Sequence, residues 1–151
     1  VKDFFEENAL NYKYAQKEEH AFYQSTDLAS VIEIFQGDFF ELQAEDLEDI
    51  TDTFDRASLV ALPPEMRQSY VQKMAELQKP GTRTLLVTLT FDPEEMSGPP
   101  FSVTEDEVNA LYSENFSVQK LAVKDVINEE TGLRKRGLTA LTETVYKLVR
   151  I

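Results

Sequence analysis

A chain of 151 residues with 42% hydrophobic and 11% aromatic content is long enough to bury one sizeable core, so a single globular domain is expected. Its 28 acidic against 15 basic residues give a formal charge of -13, which would repel nucleic acid and anionic membrane surfaces; neither is expected as a partner. The absence of cysteine excludes disulfides, thiolate metal sites and a cysteine nucleophile.

The first residues already carry a helical face. Val1, Phe4 and Phe5 lie at i, i+3 and i+4, with Lys2, Asp3, Glu6 and Glu7 opposite. No capping residue precedes Val1, so the pattern reads as the tail of a helix that starts outside the chain. The single histidine, His20, follows Glu18-Glu19 and is expected on the solvated surface; one histidine cannot build a multi-histidine metal site, and no metal is expected. No run approaches the roughly 18 apolar residues of a membrane span, and no signal peptide opens the chain, so a cytoplasmic location is expected.

Residues 21–26 and 31–36 are two β-rich runs around Asp27-Leu28-Ala29-Ser30, a hairpin or tight loop. The second run ends in Gly37-Asp38-Phe39-Phe40. Gly37 permits close approach of backbone or ligand, and Asp38 can accept hydrogen bonds; a strand-ending turn with two core phenylalanines is the plainer alternative. Residues 44–49 form a short acidic helical segment. Residues 50–54 are then a buried strand that runs into Asp55-Arg56, a small apolar patch and Pro63-Pro64, where a helix begins. Met66, Tyr70, Met74 and Leu77 share one face of that helix, and Pro80-Gly81 ends it.

Residues 82–91, with a near-continuous Leu/Val centre, suit a strand buried on both faces, as in parallel sheets. They lead into Asp92-Pro93 and Gly98-Pro99-Pro100-Phe101, a rigid loop. Thr104 caps the next helix, with Glu107 completing a capping box and Val103 stapling to Val108. Residues 116–126 are a strand, followed by a turn, the basic patch Arg134-Lys135-Arg136 and a last strand over 138–151. With no helix expected between these two strands, they should pair antiparallel, because a parallel crossover needs a dozen or more residues.

This order describes an α/β sheet, mostly parallel with an antiparallel last strand and helices on both faces. Ligands are expected at the strand ends marked by Asp38, Asp55-Arg56 and the loop 92–101. Residues alone carry the reading as far as a small-molecule-binding α/β protein.

Three motifs carry it further: Gly37-Asp38-Phe39-Phe40-Glu41-Leu42, Phe54-Asp55-Arg56-Ala57-Ser58-Leu59-Val60-Ala61-Leu62-Pro63, and Phe91-Asp92-Pro93 with Gly98-Pro99-Pro100-Phe101-Ser102-Val103. In this register, with Arg136-Gly137-Leu138 and Val145-Tyr146-Lys147-Leu148, the whole chain resembles the bacterial branch of the thiopurine S-methyltransferase family. The resemblance implies a Rossmann-like methyltransferase sheet that uses S-adenosyl-L-methionine to methylate the sulfur of a small heteroaromatic thiol. It implies that Gly37, Asp38, Phe39 and Arg56 lie along the cofactor, with Asp38 and Phe39 at its adenine end. Arg56 would be the catalytic residue, and Arg56, Pro99, Pro100 and Phe101 would bound the acceptor. Arg134 and Arg136 are carried only as further candidates to face substrate. Methyl transfer to sulfur is in-line displacement and needs positioning more than an acid–base pair. Arg56 could hold the acceptor as an anion or polarise its ring nitrogen; an ion pair with Asp55 or another local acid is the structural alternative.

The family's first two strands and its Gly-rich turn are absent from this sequence, so the chain is expected to be the carboxyl-terminal portion of a longer methyltransferase domain. The strand at 31–36 would then lack direct pairing to that at 50–54, leaving unpaired edges. Two other functions stay open: a non-catalytic acidic α/β interaction module, and a methyltransferase acting on selenium or tellurium species. A monomer is expected for the intact enzyme.

Overall fold

The computed structural model describes residues 1–17, 19–27, 31–47 and 50–151, with only the backbone described for Lys17 and Thr131. It divides into two compact units, 1–46 and 47–151, each taken here by itself. Among the described residues no helix is long and apolar enough to cross a membrane.

The first unit holds α1 (Lys2–Glu7), β1 (Tyr12–Lys17), β2 (His20–Ser25) and β3 (Glu33–Gln36). The strands form an antiparallel sheet in the order β1-β2-β3. Phe5 of α1 is fully buried, its ring 4.7 Å from that of Tyr12 and 6.3 Å from that of Tyr23. Such aromatic pairs add about 0.5–1.5 kcal/mol each beyond the area they bury. β1 was not among the expected strands, although Tyr-Lys-Tyr-Ala-Gln-Lys alternates. β2 and β3 pair as the hairpin reading requires; residues 28–30 of its loop lie outside the described residues. Beyond β3, Phe39–Glu41 and Ala44–Asp46 are single 3₁₀ turns, and residues 48 and 49 of the expected acidic helix lie outside the described residues.

His20 corrects an expectation. It is 5% exposed, not solvated, and its Nε2 lies 2.7 Å from the Asp38 carbonyl. Register explains it: His20 begins β2 and its ring packs against the Gly37 backbone that follows β3.

The second unit runs β4 (Asp52–Asp55), α2 (Ser58–Ala61), α3 (Pro64–Leu77), β5 (Arg83–Thr90), α4 (Glu105–Tyr112), β6 (Phe116–Asp125), α5 (Thr131–Lys135) and β7 (Thr142–Arg150). The sheet order is β4-β5-β7-β6. β4 is parallel to β5, and β7 is antiparallel to both β5 and β6, so three of the four strands run one way. This is a mixed α/β sheet with an antiparallel last strand, as expected. A five-residue helix, α5, does lie between the last two strands, but it is too short for a parallel crossover. β7 begins at Thr142, four residues later than the expected start at 138.

Pro64 opens α3 at its first turn, where a missing N–H costs nothing. Past the helix, Gly81, at φ 92°, donates its N–H to the Arg150 carbonyl at 2.8 Å. One sheet face carries Thr84, Leu86 and Thr88 of β5, opposite Leu148, Tyr146 and Thr144 of β7, all buried. α3 and α4 cover that face: Tyr70 of α3 reaches Asp55 at the end of β4, and the Tyr112 ring of α4 meets Phe116 of β6 edge-on at 5.5 Å. Truncating Leu86 or Leu148 there to Ala would cost about 2–5 kcal/mol.

The opposite face departs from the expectation of helices on both sides. Phe54 is 65%, Leu85 40% and Leu121 50% exposed, so β5 is not buried on both faces. At the carboxyl end of β5, residues of the short α2 and α5 and of the loop at Pro100 gather around Val87 and Leu89.

The capping box is half formed. Thr104 Oγ1 accepts the Glu107 N–H at 3.2 Å, and Val103 and Val108 are fully buried, as the staple requires. The Glu107 carboxylate does not turn back to Thr104. It pairs with Arg67, a guanidinium 1% exposed, which also donates from Nε to the Leu62 carbonyl at 3.0 Å.

Candidate functional site

β4 delivers Asp55 and Arg56 to its carboxyl end with opposite fates. Asp55, 3% exposed, turns inward. Its Oδ1 accepts the backbone N–H groups of Ser58 at 3.0 Å and Leu59 at 3.4 Å, so it satisfies the open first turn of α2; its Oδ2 accepts the Tyr70 hydroxyl at 2.8 Å. Burial first, then the Asp55 charge and hydrogen bond, push the Tyr70 phenol well above its ordinary value. Asp55 is thus structural, and it is not the partner of Arg56.

Arg56 faces outward over a cavity of about 350 Å³. Ala57, Val60 and Ala61 of the α2 segment, Val87 and Leu89 of β5, Pro100 and Leu133 supply apolar walls; Glu130 and Glu143 supply carboxylates. One nitrogen of the guanidinium, Nη2, is 3.9 Å from both Glu130 Oε1 and Glu143 Oε2. At that distance neither carboxylate is hydrogen-bonded to it, so the attraction is Coulombic and the N–H groups can still be offered to a ligand. The arrangement is a mostly apolar slot with one planar cation between two anions at its mouth.

Neither glutamate was foreseen. Glu143 lies directly opposite Leu89 in the β5–β7 register, and only that register brings it to the end of β4's neighbour. Glu130 closes the turn before α5. Val60 and Ala61, in contrast, sit within the Asp-Arg-Ala-Ser-Leu-Val-Ala stretch that the sequence itself singles out.

The loop after β5 is fastened at several points. Ser102 Oγ accepts the Phe91 N–H at 3.0 Å and donates to its carbonyl at 2.8 Å. Phe101 donates its N–H to the Val60 carbonyl at 2.6 Å. Glu95 accepts the Thr139 N–H at 2.9 Å and its hydroxyl at 2.5 Å, which holds the Glu95 carboxyl below its ordinary value. Arg136 donates to the Pro99 carbonyl at 2.9 Å. Both peptide bonds of Gly98-Pro99-Pro100 are cis.

Gly98 is required twice over. Its φ is 80°, and a Cβ there would lie 2.4 Å from the Phe101 ring. The ring is therefore folded back beneath Gly98. Of Pro99, Pro100 and Phe101, Pro100 alone lines the Arg56 cavity. Phe101 lines a separate cleft with Arg67, Met96 and Glu107, its ring centroid 6.0 Å from the Arg67 guanidinium carbon. Pro99 presents its carbonyl to Arg136. Arg134 donates to the Asn128 side chain at 3.3 Å and is exposed.

Gly37, Asp38 and Phe39 belong to the first unit. A Cβ at Gly37 would come 2.5 Å from the His20 ring and 2.9 Å from the Glu19 carbonyl, so what approaches Gly37 closely is this chain's own histidine. Asp38 Oδ1 caps the following 3₁₀ turn by accepting the Phe40 N–H at 2.9 Å, while the carboxylate stays exposed. Phe39 is half-buried beside it, its ring edge-on to Phe40 at 5.9 Å.

Comparison with known proteins adds the following. The family pattern of thiopurine S-methyltransferase (TPMT) matches residues 1–151. A protein named thiopurine S-methyltransferase from Pseudomonas fluorescens (strain SBW25) is 41% identical over 149 residues, covering 99% of this chain and 66% of its own. Its namesake from Marinobacter nauticus is 41% identical over 150 residues, covering 99% and 67%, and that from Nitrosomonas eutropha 42% identical over 151 residues, covering 100% and 67%. The chain thus spans about two thirds of the length of these relatives. A solved structure from work on the conversion of a disulfide bond into a thioacetal group during echinomycin biosynthesis overlaps with a TM-score of 0.49 at 11% identity, covering 76% of this chain and 53% of that one.

Proposed function

The chain belongs to the thiopurine S-methyltransferase family, and from that membership we propose that it forms the acceptor-binding part of an enzyme that methylates the sulfur of a small heteroaromatic thiol. The observation that supports this most is Arg56 at the mouth of a cavity of about 350 Å³ with aliphatic and proline walls. That volume suits one or two fused aromatic rings. The cavity lies past the carboxyl ends of β4 and β5, where ligands of open α/β sheets are bound. Pro100 and Leu89 give the flat apolar contact, and Arg56 meets the polarisable edge that carries sulfur and ring nitrogen.

The methyl donor is S-adenosyl-L-methionine, which supplies an electrophilic methyl on a sulfonium. The residues present fit its adenine end: Asp38 keeps an exposed carboxylate to accept from an exocyclic amine, and the half-buried Phe39 offers a ring beside it. Gly37 supports that segment through its contact with His20. Arg56 holds the acceptor's orientation, and the aliphatic walls exclude water from the sulfur.

Isothermal titration of the full-length protein with S-adenosylhomocysteine tests the reading, with micromolar binding expected. Absence of binding there, together with no methyl transfer to any aromatic thiol, would overturn it.

A further inference from the structure

His20 is the one histidine of the chain, and it is 5% exposed. Its Nε2 lies 2.7 Å from the Asp38 carbonyl. A carbonyl oxygen only accepts, so Nε2 carries the proton and donates. The same carbonyl accepts the Glu41 N–H at 3.2 Å, and Asp38 Oδ1 accepts the Phe40 N–H at 2.9 Å. Asp38 is therefore tied through its main chain and through its side chain, although the residue is exposed. The ladder of β2 and β3 brings the donor there. Ala21 pairs with Gln36, and one step further His20 stands against Gly37, whose missing Cβ leaves room for the ring. Packing alone calls for no donor aimed at this carbonyl.

We propose that His20 is a positioning residue for the cofactor: its hydrogen bond fixes Asp38 so that the carboxylate receives the exocyclic amine of adenine, and the site thereby prefers an adenine nucleoside to its hypoxanthine counterpart. The proposal rests on the methyltransferase reading, which puts Asp38 at the adenine end. His20 itself touches no ligand. Its bond to the main chain is shielded from water, where a hydrogen bond holds geometry best. Hypoxanthine carries a carbonyl oxygen where adenine has the amine, and an N–H at the neighbouring ring nitrogen. A carboxylate free to shift could follow that N–H and bind both bases. One held in place cannot, so the hypoxanthine oxygen meets it acceptor to acceptor. Selectivity of this kind is a difference of affinities, set as much by what the fixed group opposes as by what it binds.

The test titrates two ligands, S-adenosylhomocysteine and S-inosylhomocysteine, into the full-length protein and its His20→Leu and His20→Gln variants. Leucine fills space without a donor, and glutamine offers an N–H at about the reach of Nε2. The unaltered protein should prefer S-adenosylhomocysteine by at least about tenfold, as for a hydrogen bond to a charged group. In His20→Leu the preference should shrink to within about threefold, and His20→Gln should restore most of it. Amide exchange at Phe40 and Glu41 should quicken in His20→Leu without any ligand. Equal weakening of both ligands in His20→Leu would leave the preference intact, show a merely structural role and overturn the proposal; so would equal binding by the unaltered protein. If His20→Leu does not fold, His20→Asn decides, because its shorter amide falls short of the carbonyl: an undiminished preference there overturns the proposal as well. Failure of the underlying reading looks different, since the unaltered protein then binds neither ligand.

Discussion

The Tyr70 hydroxyl donates a 2.8 Å hydrogen bond to Asp55 Oδ2, and through that carboxylate α3 holds the first turn of α2. Val60 and Ala61 of α2 wall the Arg56 cavity, so a buried pair far from solvent sets one side of the site. Replacing Tyr70 by Phe keeps the ring and removes the donor. The buried carboxylate then loses a partner, and urea denaturation should show a loss of about 1–3 kcal/mol. An unchanged midpoint would mean that Asp55 is satisfied without Tyr70.

The same pair predicts an alkaline limit. The folded Tyr70 phenol is raised by burial and by Asp55, so the folded state binds its proton more tightly than the unfolded chain. A raised group contributes stability that is fully present below its unfolded value, about 10 for tyrosine, and is lost as pH rises above that. Stability should therefore fall from about pH 10 upward, and Tyr70→Phe should blunt that fall. Denaturation midpoints between pH 8 and 11 give the comparison.

At the acid end Glu95 makes the opposite prediction. Its carboxyl is lowered by the Thr139 hydroxyl and then by the Thr139 backbone N–H. A depressed group contributes above its unfolded value and loses that contribution as pH falls through the folded one. The residue is only half-buried, so the effect on overall stability is small. It should show instead as loosening of the loop 92–101 below about pH 4, read by hydrogen exchange, and Glu95→Gln should show the looser loop already at pH 7.

Arg56→Ala should lower turnover of the full-length enzyme well beyond any change in stability. Its guanidinium makes no direct hydrogen bond to its two acidic neighbours, and its side chain is 60% exposed. A change of less than about 0.5 kcal/mol in unfolding is expected, as for exposed ion pairs. Kinetics and denaturation on one preparation separate the two effects; unchanged turnover would return Arg56 to a surface ion pair.

Gly37→Ala should be destabilising because of His20, whose ring lies 2.5 Å from where the new Cβ would stand. His20→Ala makes room, so the double variant should lose less stability than the two single losses added together. Strict additivity would show that the ring moves aside freely.

Much of the second unit was legible because its signals are local. The strand at 83–90 announced itself by β-branched and leucine content, the helix at 64–77 by its opening proline and closing Pro-Gly, and the antiparallel last pair by the short span between β6 and β7. The signals that failed depend on distant partners. Glu107 has the spacing of a capping box, but the buried Arg67 charge claims its carboxylate. His20 follows two acidic residues and looks solvated, yet strand pairing turns it under Gly37. Arg56 could be named from its motif. Glu130 and Glu143, which flank its guanidinium, lie 74 and 87 positions further on, one in the turn before α5 and the other brought there by the β5–β7 register.

The anchoring of residues 92–101 bears on how such an enzyme can be altered. Glu95 is tied to Thr139 and Pro99 to Arg136, so two stretches about 40 residues apart in the chain are one mechanical part. Transplanting the proline-rich loop from a relative would import a wall without its moorings. Recombination that respects the part would exchange residues 92–101 and 134–139 together, and libraries that vary one stretch alone should be dominated by misassembled loops.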